Sequence, residues 1–174
     1  MTKLSRPVTG FSLFELIIVC LISAILLSIS IPSFSELLML NRPQRALTSL
    51  DRHLSYARLK SIYSGERITL CPLVEGKCTR ELWHGELTLF IDRGKLKEFN
   101  GADTTLRVMD QIPAVDELTY PRRAITFKHT GNIWGLGNGT FVYCIVHHDG
   151  TKSGKALSLS ITGRTTLKDT HLCD

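Results

Sequence analysis

The chain has 174 residues, of which 43% are hydrophobic and 21% are charged. This length fits one domain of ordinary size with an appended helix and excludes two independently folded enzyme domains. The near-average composition also excludes a disordered chain and a polytopic membrane protein. The formal net charge of +5 is too small to indicate nucleic-acid binding unless the cations are concentrated locally.

A short basic segment comes first, because residues 1–10 contain Lys3 and Arg6 and no acid. The positive-inside rule therefore predicts a cytoplasmic amino terminus and export of the remainder. Residues 11–31 are predominantly apolar and carry a single charge, Glu15, and they are long enough to cross a bilayer as a helix. A secretory signal is cut after its apolar region. Here the small residue at the junction, Gly10, precedes that region, so cleavage would leave the apolar helix on the mature protein.

The junction itself, residues 10–15 with the sequence GFSLFE, resembles the leader motif of type IV pilins, which a prepilin peptidase cuts and methylates. The resemblance implies that cleavage follows Gly10 and that Phe11 becomes the N-methylated first residue. It also implies that Glu15 is the acid characteristic of the fifth mature position. Pro32 stands where pilins commonly have a proline that loosens the helix, whereas Ser12 replaces the usual threonine.

Glu15 has a physical reason to be functional. A carboxylate inside a membrane helix is costly unless it is paired. We expect its partner in a filament to be the amino group on Phe11 of a neighbouring subunit. The alternative is a plain single-pass anchor whose Glu15 lies at the headgroup level without a function. The spacing of basic leader, glycine, aromatic residue, acid and proline favours the filament subunit.

A second helical pattern occupies residues 32–64. Apolar residues at spacings of three and four predict one buried helix face, formed by Leu47, Leu50, Leu54 and Ala57. Pro43 should kink the helix or mark its restart, and Gly65 is a suitable stop. The other side of the helix is basic and is interpreted as a solvated face, with Arg45, Arg52, His53, Arg58 and Lys60. We predict one long, bent helix that packs its leucine face against the residues that follow.

Residues 65–174 change to short β-favouring segments separated by turn residues. Strands are predicted at residues 67–70, 86–91, 124–127, 140–146 and 157–162. A helix followed by several strands indicates an α+β fold. The glycine-rich residues 131–139 do not have the context of a phosphate-binding loop, so we predict a hairpin connection or a mobile loop there.

Four of the five cysteines fall in this part of the chain, at Cys71, Cys78, Cys144 and Cys173. In an exported domain they suggest two disulfides, and three pairings are open. A local bridge between Cys71 and Cys78 is reasonable because the two bracket a turn-rich loop, which leaves Cys144 to tether Cys173. A zinc site is disfavoured because the paired CxxC spacing is missing. Cys20 is interpreted as a small apolar residue.

Residues 65–174 contain a series of short motifs in this order: Ile68-Thr69-Leu70-Cys71-Pro72, Cys78, Trp83, Gly85, Ile91-Asp92, Leu106-Arg107, Phe127, Gly131, Gly139-Thr140-Phe141, Cys144 and Thr162-Gly163-Arg164. Their order and spacing resemble the GspH/FimT class of minor pilins. The resemblance implies an α+β, type IV pilin-like fold in which a long N-terminal helix packs on a β-rich head of two antiparallel sheets. The implied organisation is a leader at 1–10, a transmembrane and filament-core helix at 11–31, the second half of the helix at 32–64 and the head at 65–174.

The same resemblance implies a structural protein rather than an enzyme. The leading hypothesis is a minor pilin in the initiating or tip complex of a type IV pilus, supporting pilus biogenesis, twitching and DNA uptake. The alternative is a minor pseudopilin of a type II secretion system. Implied partners are other minor and major pilins, the prepilin peptidase and methylase, and the inner membrane before assembly, with the head in the periplasm or on the surface pilus. No catalytic residue, metal or cofactor is expected.

DNA binding is a separate hypothesis, carried by cations near the carboxyl terminus. DNA-binding relatives of the FimT type have a Gly-Arg-any-Arg pattern, and the corresponding residues here are Gly163-Arg164-Thr165-Thr166, which lack the second arginine. Arg164 carries the match, and Lys168, Lys152 and Lys155 are further candidates. Such cations would hold the phosphates of double-stranded DNA without regard to sequence and in a salt-dependent way. The alternative is a solvated charged hairpin.

Overall fold

The fold was analysed in a computed structural model, which describes residues 12–147 and 149–173. Two compact units are present, one ending at Leu40 and the other beginning at Asn41. The predicted cleavage residue Gly10 and the first mature residue Phe11 lie outside the described residues.

The first unit contains helix α1, Leu13–Leu40. Ser12 and Glu15 form a capping box at its start. The backbone N–H of Ser12 donates to Glu15 Oε2 at 3.0 Å, and the N–H of Phe14 donates to Ser12 Oγ at 3.3 Å. The helix continues through Pro32. In the described part of the chain no helix combines the length and the apolarity needed to span a membrane, so a transmembrane role for residues 11–31 stays a prediction.

The second unit begins with helix α2, Arg42–Ser64. Pro43 lies in its first turn, where a missing N–H costs no intrahelical bond. Gly65 ends the helix in the left-handed conformation, at φ 71°, and its N–H donates to the carbonyl of Ser61 at 3.1 Å. The predicted stop at Gly65 is observed, and of the two alternatives for Pro43 the structure shows a restart. The prediction of one long, bent helix was wrong, because α1 and α2 are separate helices with Asn41 between them. The predicted leucine face is fully buried, at Leu47, Leu50, Leu54 and Ala57.

Nine strands follow in the described residues: β1 (Ile68–Val74), β2 (Lys77–Cys78), β3 (Leu87–Ile91), β4 (Thr104–Met109), β5 (Glu117–Thr119), β6 (Ile125–Phe127), β7 (Gly139–Val146), β8 (Lys152–Leu159) and β9 (Thr165–Asp169). One sheet has the order β2-β1-β3-β4, with β6 also paired to β1, and the other has the order β5-β7-β8-β9. All pairings are antiparallel. The predicted α+β fold with two antiparallel sheets is therefore confirmed.

The last predicted strand, at residues 157–162, was wrong in its bounds. Strand β8 ends at Leu159, and the chain reverses through a turn closed by the N–H of Gly163, which donates to the carbonyl of Ser160 at 2.9 Å. The prediction missed β2, β4, β5 and β9. Strand β4 is mostly exposed on both faces, and β5 has only three residues. Neither therefore offers a stretch of alternating residues that is long enough and buried enough on one face to predict a strand.

The core lies where α2 packs on both sheets. Trp83 is 1% exposed and contacts the rings of Tyr120 and Phe141 edge-on, at centroid distances of 5.1 and 5.2 Å. Its indole N–H donates to the carbonyl of Arg122 at 2.7 Å, so the one polar atom of the buried ring is satisfied.

Two disulfides lie in the second unit. Of the three pairings that the sequence leaves open, the structure contains Cys71–Cys78, between β1 and β2, and Cys144–Cys173, between β7 and the residues after β9. Cys20 in α1 is a free, exposed cysteine. No group of three or more potential metal ligands occurs in the described residues.

Candidate functional site

The four cations proposed to hold DNA separate into two kinds. Lys155 Nζ lies 2.7 Å from Asp169 Oδ1, and Lys152 Nζ lies 3.4 Å from Glu117 Oε1. The hydrogen bond from Lys155, together with its charge, lowers the pKa of the Asp169 carboxyl. Arg164 and Lys168 form no ion pair with any described residue. The charges of the first two lysines are therefore largely compensated, whereas the other two cations are available to an external anion.

The turn between β8 and β9 presents Arg164. Ser160 N–H donates to the carbonyl of Arg164 at 2.9 Å, and the N–H of Arg164 donates back to Ser160 Oγ at 3.1 Å. Gly163 has φ +73°, a conformation that L side chains rarely adopt. The backbone of Arg164 is thus fixed by its own turn, while its side chain is exposed.

A second arginine, Arg58 of α2, lies against the same turn. A Cβ atom on Gly163 would lie 3.1 Å from Arg58 Cδ, and one on Gly131 would lie 3.3 Å from Arg58 Nε. Gly131 also has positive φ, at +76°. Two glycine turns therefore leave the space that the Arg58 side chain occupies. The sequence predicted Arg58 on a solvated face, and only the folded arrangement shows that it lines the same groove as Arg164.

An open groove separates α2 from the turn. Its lining includes Arg58, Leu59, Ile62, Gly163, Arg164 and Thr165. Arg58 Nε is buried and has no hydrogen-bond partner among the described residues. Thr165, which lines the groove, donates a hydrogen bond from its Oγ1 to Asp51 Oδ1. The groove thus combines two guanidinium groups with apolar side chains.

The glycine-rich loop at residues 131–139, predicted as a hairpin connection or a mobile loop, links the β8–β9 turn to the first sheet. Ile133 forms an isolated bridge with Phe127, and its N–H donates to the carbonyl of Ile161 at 2.9 Å. Trp134 beside it is 40% exposed. The cations of Arg67 and Lys128 lie 5.9 and 5.4 Å from its ring centroid. An exposed aromatic ring with two cations therefore lies next to the bridge to the β8–β9 turn.

A buried polar network, not recognised in the sequence, anchors the first turn of α2. Asp116 is buried, and its Oδ1 lies 3.6 Å from Arg42 Nη1, while its Oδ2 accepts a hydrogen bond from Tyr143 Oη at 2.7 Å. Burial, followed by the hydrogen bond to Asp116, raises the pKa of the Tyr143 hydroxyl. The network connects α2 to β7 of the second sheet.

Two of the residues predicted for filament assembly, Glu15 and Pro32, lie in α1 of the first unit. Glu15 lies in the first turn of α1, where its carboxylate accepts the N–H of Ser12. Pro32 lies within the same helix. Glu15 therefore has a local structural role besides the predicted role between subunits.

Comparisons with known proteins identify relatives of the second unit. A family model described as Type II transport protein GspH matches residues 46–163. The structure is similar to a crystal structure of the type IV minor pilin FimU of Pseudomonas aeruginosa, with a TM-score of 0.59, 22% identity, and coverage of 77% of this chain and 96% of that chain. A second crystal form of FimU gives a TM-score of 0.55 and 24% identity, with coverage of 75% and 99%. At these identities the likeness shows a shared fold. None of the curated protein sequences matches.

Proposed function

The chain belongs to the GspH family, and we propose that it is a minor pilin of a type IV pilus, a non-enzymatic subunit of the initiating or tip complex. One observation carries the proposal: an apolar helix precedes a compact head closed by two disulfides. Along α1 the large apolar side chains are exposed, for example Leu16 at 62% and Leu26 at 61%. Such a surface is stable in a bilayer or among sister helices rather than in water.

In this proposal the chain is processed before assembly. A prepilin peptidase cuts after Gly10 and methylates Phe11, the apolar helix holds the protein in the inner membrane, and the subunit then joins other minor and major pilins. Mass spectrometry of the mature protein tests this order directly. The expected first residue is N-methylated phenylalanine. Any other first residue contradicts the proposal.

A deletion strain separates the two candidate machines. Loss of the gene should abolish or strongly reduce surface pili and twitching while leaving type II secretion of exoproteins unchanged. The converse result, normal piliation with impaired secretion, would establish the alternative of a type II secretion pseudopilin. Complementation with the intact gene is the control.

Glu15 can be tested in the same assay. Glutamine at the third position of a helix preserves a capping box, so Glu15→Gln keeps the hydrogen bond from Ser12 and removes only the charge. If the carboxylate pairs with the Phe11 amino group of a neighbouring subunit, this variant is processed normally but does not support piliation. Wild-type piliation would show that Glu15 serves its own helix alone.

A second candidate function, binding of DNA at the pilus tip, is favoured by the absence of any ion pair at Arg164 and Lys168 within the described residues. Titration of the full chain, in a non-ionic detergent, with a DNA duplex at low and moderate salt provides the test. Arg164→Gln should weaken binding about tenfold, because a charge-assisted contact to phosphate is lost.

Lys155→Gln is the matched control, because it removes one positive charge that Asp169 already compensates. It should change the affinity by about twofold or less. Equal effects of the two substitutions, or no salt-dependent binding by the wild type, would end this candidate function.

A further inference from the structure

We infer that Arg58 of α2 supplies the second guanidinium of a phosphodiester-binding groove whose first guanidinium is Arg164. The inference rests on the second candidate function, binding of DNA. It concerns which side chains form the site. On the sequence alone, the position two residues after Arg164 is Thr166, so the turn itself provides a single arginine. The fold brings another one to it from a distant part of the chain.

The position of Arg58 is built into the surrounding backbone. Its side chain lies against Gly131 and Gly163, and a Cβ atom on either glycine would crowd it, at 3.3 Å from Nε and 3.1 Å from Cδ. Ile62 is packed on the same side, since a Cβ on Gly131 would lie 2.7 Å from Ile62 Cδ1. Arg58 is therefore held beside the β8–β9 turn rather than extended freely into solvent.

The hydrogen-bonding capacity of Arg58 is unused in the described structure. Its Nε is buried without a partner, and no described residue accepts a hydrogen bond from its guanidinium group. A guanidinium has five N–H donors, and leaving a buried donor unsatisfied is costly. The remaining N–H donors, on the two Nη atoms, also have no acceptor among the described residues, so a ligand that brings acceptor oxygens into the groove can engage them.

A phosphodiester is the ligand that fits these features. Its two anionic oxygens match the planar fork of an arginine, which binds phosphate in a bidentate manner. The sugars that separate successive phosphates are less polar, and Leu59 and Ile62 line the groove next to the two arginines. Leu59 is 67% exposed, so it has apolar surface to offer. The groove therefore offers a DNA strand both cations and an apolar contact.

The test is a comparison of variants of the full chain in a non-ionic detergent, with a fluorescent DNA duplex as the probe over a range of salt concentrations. Arg58→Gln and Arg164→Gln should each weaken binding about tenfold and reduce the slope of log K against log salt by about one. The double variant should weaken DNA binding by less than the product of the two single fold-changes in affinity, because both arginines hold the same strand. Arg52→Gln, an exposed arginine of the same helix that does not line the groove, is the control and should change affinity by about twofold or less.

The outcomes separate the inference from the function on which it rests. If Arg164→Gln weakens binding but Arg58→Gln behaves like Arg52→Gln, DNA binding stands and the role of Arg58 is refuted. If the wild type shows no salt-dependent binding, both fail. Near-ultraviolet circular dichroism shows whether Arg58→Gln is folded. If it is not, Arg58→Lys replaces it as the test variant, because lysine keeps the charge and most of the packed aliphatic side chain. Reduced affinity of this lysine variant supports the guanidinium contact, and wild-type affinity overturns it.

Discussion

Helices α1 and α2 are similar in length, but their apolar side chains lie in opposite environments. In α2 the apolar side chains recur on one face and are buried by the two sheets, with Leu47 and Leu50 at 0% exposure. In α1 apolar side chains such as Leu21 are exposed, at 60%. Burying one leucine stabilises a fold by about 1.5 to 3 kcal/mol. The buried face of α2 therefore contributes to the stability of the second unit, whereas the apolar side chains of α1 contribute little by burial within their own chain.

The largest difference between α1 and α2 is expected for a matched pair of leucine substitutions. Leu54→Ala in α2 removes a side chain that is 1% exposed and should lower the free energy of unfolding by about 2 to 5 kcal/mol, through lost burial and a residual cavity. Leu21→Ala in α1 should change it by about 0.5 kcal/mol or less. Urea unfolding of the full chain, followed by tryptophan fluorescence, measures both. Similar losses would show that α1 is buried within its own chain.

Both disulfides lie in the unit that contains α2, so their removal should destabilise that unit. Replacing Cys144 and Cys173 by serine opens a loop with a sequence separation of 29 and should cost about 3.6 kcal/mol by the chain-entropy relation. Replacing Cys71 and Cys78 opens a separation of 7 and should cost about 2.4 kcal/mol. Denaturant unfolding of the two double variants tests the order. A reversed order would mean that native contacts, rather than loop closure, dominate the effect.

Alkaline pH should also act on the second unit, since α1 contains no tyrosine. Burial raises the pKa of the Tyr120 and Tyr143 hydroxyls. Their neutral forms are thus favoured in the folded state. The stabilisation that results from these raised pKa values is fully present below the unfolded pKa of about 10. As the pH rises above that value, the free energy of unfolding falls by up to about 1.4 kcal/mol per pH unit for each tyrosine.

Thermal melting between neutral and alkaline pH checks this expectation. The melting temperature of the wild type should fall steeply above pH about 10, and Tyr143→Phe should show a shallower decline. An unchanged decline in Tyr143→Phe would assign the alkaline sensitivity to other groups.

The smallest effect is expected for Lys155→Gln. The ion pair with Asp169 is at the surface, where such pairs contribute about 0 to 1 kcal/mol. Its melting temperature in moderate salt should match that of the wild type. A large loss would disqualify this variant as the control for DNA binding and would show that the edge strand β9 depends on the pair.

Local rules predicted much of this molecule. The buried face of α2, its start near Pro43 and its stop at Gly65 follow from side-chain spacing and from backbone preferences that neighbouring residues decide. The proximity of Arg58 to Arg164 depends instead on how α2 packs beside β8 and β9, and no pattern within either segment encodes it. The pairing of Asp116 with Arg42 is equally non-local, since the two residues come together only when α2 docks on the second sheet.

Strands were predictable only where one face is buried or the whole strand lies in the core. Strand β3 is buried along its length, whereas β4 and β9 are largely exposed edge strands. Their place in a sheet is set by the neighbouring strand, which supplies the backbone hydrogen bonds. The sequence of such an edge strand carries little of that information.

The Arg42–Asp116–Tyr143 network has a mechanical consequence. Arg42 is the first residue of α2, so tension on the chain that precedes it reaches the second unit at this point. Asp116 passes the load to Tyr143 on β7, an interior strand that has hydrogen-bonded neighbours on both sides. We therefore expect force applied at the start of α2 to be shared among the strands of a sheet rather than to peel away one edge strand, which should raise the force at which the second unit unfolds.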